Sequence, residues 1–304
     1  MQFRNHRSAL FSAIFLIGYL VLSSCGCEDS DESGVIIQKD TIKEESRTGI
    51  IKFNGRLFNL PSPVQISELL KTSNSSFNQD FLNPSQSYQN YSSSFKQALN
   101  LGVYGADLAY INIFEKHSQA TSYFEVVKKL SVELNIVNSF SDDVLRNIEK
   151  NKKNKDSLLV ITSKAYRNAD RYLINNERND IGVLILAGGW IESLSIISKA
   201  AEINATPKMI NRIGQQKYAL NNLIELMRPY YQTKSEAYDK LLTDLADLAL
   251  IFDGVVLTYE YKEPETLPKE QMTLVKSKAV LTINDYQLEH IRKKIIEIRN
   301  EVIQ

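Results

Sequence analysis

The stretch "NDIGVLILAGGWIESLSIISKAAEI", residues 179–203, decides how the fold is read. From Ile181 to Ile197 it is apolar or small on every side, so a helix here has no solvent face. Such a helix is either a membrane span or the centre of a core. A span needs about 20 apolar residues with few or no charges. Glu192 interrupts this run as the only charge between Asp180 and Lys199, and polar residues stand close on both flanks. The stretch is therefore expected to be a central buried helix, opened by Asn179-Asp180 and running to about Ile203. A helix of that kind needs other elements all round it, which sets a mainly α expectation for the whole chain.

Downstream, Thr206-Pro207 caps the next helix, which must stop before Pro229. Tyr238, Leu241, Leu245, Leu248, Phe252, Val255 and Tyr259 form the face of another. "KEPETLP" (262–268) reads as linker, and 272–281 as an extended segment that would pair with an early hairpin. Leu288, Ile291, Ile295, Ile298 and Val302 step by three and four, the seam of a closing helix. Upstream, Tyr91, Phe95 and Leu99 begin a long helix to about Lys116, and Phe124, Val127, Leu130 and Leu134 mark one ending near Asn135. Ser141-Asp142-Asp143 caps a short helix through Ile148, "KNKKNKD" (150–156) is a solvated turn, and Leu158, Ile161, Ala165, Ala169 and Tyr172 stripe one more.

Nearer the start, "PSPVQISELL" holds a helix over about 63–72, with Ser62 as cap, Pro63 at the first position and Gln65 closing a capping box. Residues 73–87, rich in Ser and Asn and containing Pro84, read as loop. In "GIIKFNGRLFNL" (49–60), Asn54-Gly55 between two apolar runs is a hairpin signal. Short connections make consecutive helices antiparallel, so the expected architecture is an antiparallel multi-helix bundle with a small N-terminal β-hairpin. A short α-solenoid of helical hairpins is the alternative, because "LGVYGADLAYI" (101–111) and "AGGWIESLSII" (187–197) are loosely alike. No 34-residue tetratricopeptide signature is present.

Reaction chemistry is not legible. The chain has no G-x-S-x-G, H-E-x-x-H or P-loop motif. His117 and His290 stand far apart without cysteine partners, so no metal and no cofactor is expected. Asp244 and Asp247 share a helix face that reads as solvated. Two acids stand out because their neighbours look buried: Asp107, with Tyr104 and Tyr110 three residues to either side, and Glu192. A buried lone carboxylate is costly and calls for a partner or a raised pKa. Lys164, Arg167 and Arg171, on one face of their helix, are the expected cations. Buried ion pairs fixing helix register are the first reading. A ligand pocket between helices, lined by Asp107, Tyr110, Trp190 and Glu192, is the second, and catalytic carboxylates the third. Gly102, Gly105, Gly188 and Gly189 fall mid-helix, where close helix contact is the expected reason for them.

The N-terminus carries an address. Arg4 and Arg7 precede an apolar run from Ala9 to Leu22, too short for a span and broken by Ser12 and Gly18. The run ends in Leu22-Ser23-Ser24-Cys25, which resembles the lipobox of bacterial lipoproteins, with Ser24 where Gly or Ala is commoner. The resemblance implies cleavage between Ser24 and Cys25, a diacylglycerol on the Cys25 sulfur and an acyl chain, typically palmitate, on the new amine. With about 0.8 kcal/mol per buried methylene, two or three chains hold a protein firmly on a membrane. The expected division is a signal peptide over 1–24, a lipidated cysteine and acidic tether over 25–46, and one helical domain over 47–304. Removing two arginines and no acid leaves the basic residues two short of the 36 acidic ones, so no nucleic-acid partner is expected. Cys27 would then be the one remaining thiol, which excludes an intrachain disulfide.

"CEDSDESG" reads as a self-repelling tether, and it also resembles the acidic signal that sends some Gram-negative lipoproteins to the cell surface. "PSPVQISELL", "ALNLGVYGADLAY" and "AGGWIESL" are similar to stretches of a family of helical Gram-negative lipoproteins of unknown function, a resemblance that adds no catalytic residue. Together these imply an outer-membrane, lipid-anchored protein, on the periplasmic face or the cell surface, with an envelope protein or a small ligand as partner. An interaction or scaffold role is the first expectation, a ligand-binding lipoprotein the second and an enzyme the third.

Overall fold

A computed structural model describes residues 50–53, 56–136, 177–267, 272–274 and 278–304, all within one compact unit, Thr41–Gln304. The expected leader and tether with Cys25 between them, the expected Asn54-Gly55 turn and the two helices expected between 141 and 172 lie outside the described residues. Seven α-helices are found among those described: α1 (Pro63–Thr72), α2 (Ser94–Ile113), α3 (His117–Glu133), α4 (Asn179–Ile203), α5 (Pro207–Met227), α6 (Glu236–Asp253) and α7 (Asp285–Val302). The protein is mainly α, a bundle of packed helices.

Local chemistry sets the helix starts. Ser62 and Gln65 form the capping box of α1, and Asn284 and Gln287 form another at α7. Ser93, Thr206 and Ser235 accept from the backbone N–H three residues on and open α2, α5 and α6. Asn74, Glu115 and Asn135 follow α1, α2 and α3 with positive φ, the left-handed residue that turns the chain out of a helix. The last two lie where the α2 and α3 periodicities run out, so α2 stops at Ile113 rather than near Lys116.

Two helices, α2 and α4, are buried round most of their circumference and form the centre. The α4 segment passes as a membrane span by length and mean hydropathy (1.8), yet 89% of that apolar window is buried inside the bundle. Both helices start at the same end, because Phe95 of α2 packs on Tyr238 of α6, and Lys234 just before α6 pairs with Asp180 at the start of α4. Their contact is made backbone to backbone. A Cβ on Gly102 would fall 2.0 Å from the Ile185 carbonyl oxygen, and one on Gly188 1.8 Å from the Leu99 carbonyl oxygen. These mid-helix glycines, each costing up to about 1 kcal/mol of helix propensity against Ala, remove the side chains that would hold the axes apart.

The other helices cover this pair. Helices α5, α6 and α7 follow α4 in alternating directions, as Trp190–Gln216, Lys217–Asp253 and Gln287–Gly254 contacts require. Ile291, Ile295, Ile298 and Val302 are buried in α7, the seam expected from their spacing. That helix returns to pack on α4 and reaches α2, so the ends of the array meet; in a solenoid each unit touches only its neighbours.

The strands depart from expectation. Helix α6 ends at Asp253 and does not extend to Tyr259. Lys217 Nζ donates to the carbonyls of Asp253 and Val255, and Val256–Glu260 (β3 in chain order, after β1, Ile50–Phe53, and β2, Arg56–Asn59) turns extended. The run Val-Leu-Thr-Tyr fits a three-four period and a strand equally well, and cross-strand pairing decides for the strand. β3 pairs antiparallel with β6 (Lys278–Thr282), and β4 (Glu265–Leu267), inside the expected linker, pairs with β5 (Met272–Leu274). The 272–281 region therefore pairs with its own sequence neighbours. β1 and β2 pair with each other, and β2 lies against α5.

The glycine contact predicts an asymmetric response. Gly102→Ala and Gly188→Ala force a methyl into a carbonyl and should each cost about 3 kcal/mol or more, read as a fall in urea midpoint. Gly189→Ala, whose methyl meets the Gly102 carbonyl oxygen at 3.4 Å, should stay within about 1 kcal/mol of the parent. Equal losses at all three positions would show that the close approach is not what they provide.

Candidate functional site

Five residues beyond Gly102, α2 presents Asp107; four beyond Gly188, α4 presents Glu192. Close approach of the two helices thus brings two carboxyl groups into the middle of the bundle. Both side chains have no solvent exposure. Arg299 of α7 meets them there. Its Nε donates to Glu192 Oε2 at 2.8 Å and its Nη2 to Glu192 Oε1 at 3.0 Å, a two-pronged ion pair, and Nη2 also reaches the Phe81 carbonyl at 3.2 Å. Burial works against the guanidinium charge, and the charge and hydrogen bonds of Glu192 more than offset it.

The segment between α1 and α2 closes the site. Short 3-10 turns at Gln79–Phe81 and Ser85–Asn90 shape what the sequence marked as loop, and Tyr91, expected inside α2, belongs to this segment. Asn83 N–H donates to Asp107 Oδ2 at 3.1 Å, and its Nδ2 donates to the Tyr91 hydroxyl at 2.9 Å and to Asn100 Oδ1 at 3.4 Å. Tyr91 in turn donates to the Ile303 carbonyl and Asn100 Nδ2 to the Val302 carbonyl, which satisfies the last carbonyls of α7. The Tyr104 hydroxyl donates to the Pro84 carbonyl at 2.9 Å. Among the described residues, Asp107 Oδ1 and Asn83 Oδ1 are buried without a donor.

Burial holds the Asp107 carboxyl well above the usual carboxylate range, and the negative charge of Glu192 adds to it. Arg299 and the Asn83 N–H pull the other way. The Tyr104 and Tyr123 hydroxyls are raised, chiefly by burial.

Of the residues that the sequence singles out, the structure brings two together and places others elsewhere. Asp107 and Glu192 come together. Trp190, two residues from Glu192 and so on the far side of α4, donates its Nε1–H to Gln216 of α5 at 3.1 Å, and does not share the site. Tyr110 sits one turn beyond Asp107 in an aromatic cluster with Phe77, Phe81 and Phe114, its hydroxyl accepting from the Asn78 N–H. Lys164, Arg167 and Arg171 lie outside the described residues, and Glu192 takes its cation from Arg299. That arginine was missed although it carried a signal: it sits one turn beyond Ile295, inside the apolar seam of α7. Among the described residues no group of three His, Cys, Asp or Glu side chains is placed to hold a metal.

A buried pair is costly to break and cheap to replace whole. Arg299→Met, which leaves the Glu192 carboxylate and the Phe81 carbonyl without their donor, should lose about 3–5 kcal/mol in urea unfolding. Adding Glu192→Leu should recover most of that loss, and a double-mutant cycle reads the coupling directly. Additive losses would mean the two side chains stabilise the bundle independently. No protein-family model, no curated protein and no solved structure matches this chain.

Proposed function

We propose that the protein is a lipid-anchored cell-envelope protein, held on the outer membrane through Cys25, and that it works as an interaction or scaffold protein for another envelope protein. The observation that carries the anchoring is the order of the first 25 residues: Arg4 and Arg7, the apolar run to Leu22, then Ser23-Ser24-Cys25. The acids that follow, Glu28, Asp29, Asp31 and Glu32, are of the composition that suits a self-repelling tether.

Two features support binding through the surface rather than the interior. The buried acids are engaged with Arg299, with Asn83 and with each other, and the segment between α1 and α2 covers them. Outside, Ile203 and Tyr286 are 70% and 71% exposed, at the end of α4 and the start of α7. Those ends border a cleft of about 240 Å³ lined by Ala201, Glu202 and Leu288 together with Glu289 and Arg292. Apolar and charged groups side by side suit a non-obligate protein interface.

Fatty-acid labelling in cells tests the anchor: the parent should incorporate label and a Cys25→Ala variant should not. Equal labelling of both would remove the reading. A photo-crosslinking residue placed at Tyr286 tests the contact in intact cells. A discrete adduct is expected there that is lost on Cys25→Ala and absent from a control at Val132, which is 49% exposed in α3. Adducts from both positions, or from neither, count against this end of the bundle as the contact.

A further inference from the structure

We infer that the native bundle holds one buried proton between Asp107 and Glu192, and that this proton locks the segment between α1 and α2 onto the bundle as a latch that loosens as pH rises.

The inference rests first on counting charges and donors in a closed space. Two carboxyl groups and one guanidinium meet with essentially no solvent exposure. The Arg299 fork spends its Nε and Nη2 on the two oxygens of Glu192, so the one positive charge is matched by one negative charge. Asp107 is the second acid. Its Oδ2 has the Asn83 N–H, a neutral donor, and its Oδ1 has none among the described residues. An ionised carboxylate so placed loses its hydration without a matching cation. A proton removes the charge and turns the carboxyl into a donor, with the Glu192 carboxylate hydrogen-bonded to it. The pair is thereby satisfied by a particle that the native state must take up.

Among the described residues, the groups facing Asp107 leave this count unchanged. On α4, Lys199 feels both acids, and burial and then Arg299 lower its pKa; it forms no hydrogen bond or ion pair with either carboxyl, whereas Arg299 is paired with Glu192. Tyr104 on α2 and Tyr123 on α3 are neutral phenols. Asn83 and Tyr91, from the covering segment, and Asn100 on α2 are uncharged.

The latch follows from what covers the site. The segment is fixed by Asn83 to Asp107, Phe81 to Arg299, Tyr91 to Ile303 and Pro84 to Tyr104, and Phe77 and Phe81 bury their rings on Tyr110. Apart from its short 3-10 turns it carries no helical ladder. Lifting it is therefore the lowest-cost way to admit water to an ionised Asp107. The sign is set by linkage. Above the ordinary aspartate value of 3.8 an unfolded or opened chain gives up this proton while the closed bundle keeps it. Stability of the closed form is then greatest at low pH and falls as pH rises toward the carboxyl's value in the fold.

Amide hydrogen exchange on the purified full chain, corrected for the intrinsic pH dependence, tests the latch. In the parent, opening of residues 77–91 should rise about tenfold per pH unit between the ordinary aspartate value of 3.8 and the carboxyl's value in the fold, and level off above it, while α4 stays protected. Asp107→Asn, which accepts from the Asn83 N–H and donates to Glu192 without ionising, should abolish that rise and keep the segment closed. Infrared difference spectra with carbon-13 aspartate, taken just above the ordinary aspartate range, should show a protonated carboxyl band in the parent that Asp107→Asn lacks. Absence of that band overturns the proton whether or not the variant folds. Identical pH dependence of opening in parent and variant, or α4 opening together with the segment, overturns the latch.

Discussion

The contact of α2 and α4 through their backbones is the constraint on which the remaining structure depends. Gly102 and Gly188 each stand where a methyl would meet a carbonyl oxygen at 2.0 and 1.8 Å, so the distance between the central helices is set by main-chain atoms. Helix pairs separated by ordinary side chains sit about 8–10 Å apart and tolerate small repacking. A contact without side chains has no such slack. It fixes where Asp107 and Glu192 arrive, and hence whether one arginine from a third helix can serve the site.

That arginine closes the bundle. Arg299 comes from the last helix, pairs with the central helix α4 and holds the Phe81 carbonyl of the segment before α2. Tyr91 and Asn100 then accept the task of ending α7, by donating to the carbonyls of Ile303 and Val302. Elements far apart in sequence are thus tied through polar groups in a place where water does not compete. Each unsatisfied partner there would cost about 1–3 kcal/mol, more if charged. Buried polar groups of this sort give a bundle its specificity of register at some expense of stability, since an apolar core alone would accept neighbouring registers almost as well.

Much of this was legible along the chain. The seam of α7, the caps at Ser62 and Thr206, the burial of 179–203 and the two conspicuous acids all follow from periodicity and from rules that act within a few residues. The errors fall where two distant segments compete for one stretch. Val256–Glu260 continues a helical period on paper and becomes a strand because Lys278–Thr282 lies beside it. Tyr91 continues the stripe of α2 and leaves it because its hydroxyl is needed at the end of α7. Trp190 and Glu192 are neighbours in sequence and serve opposite sides of the same helix.

The sequence by itself determined the class of the fold, the helix starts, the glycines and the need of Asp107 and Glu192 for company, because propensity, capping and the cost of burying charge are local quantities. It also holds Arg4, Arg7 and the run to Cys25 on which the proposed anchor rests, a feature read as a linear string. Which cation answers the acids, how many charges the site holds and which segment seals it were decided only in three dimensions. Those depend on distances between residues a hundred or more positions apart, and an arginine in an apolar seam looks the same in sequence whether it faces water or, as here, a buried carboxylate.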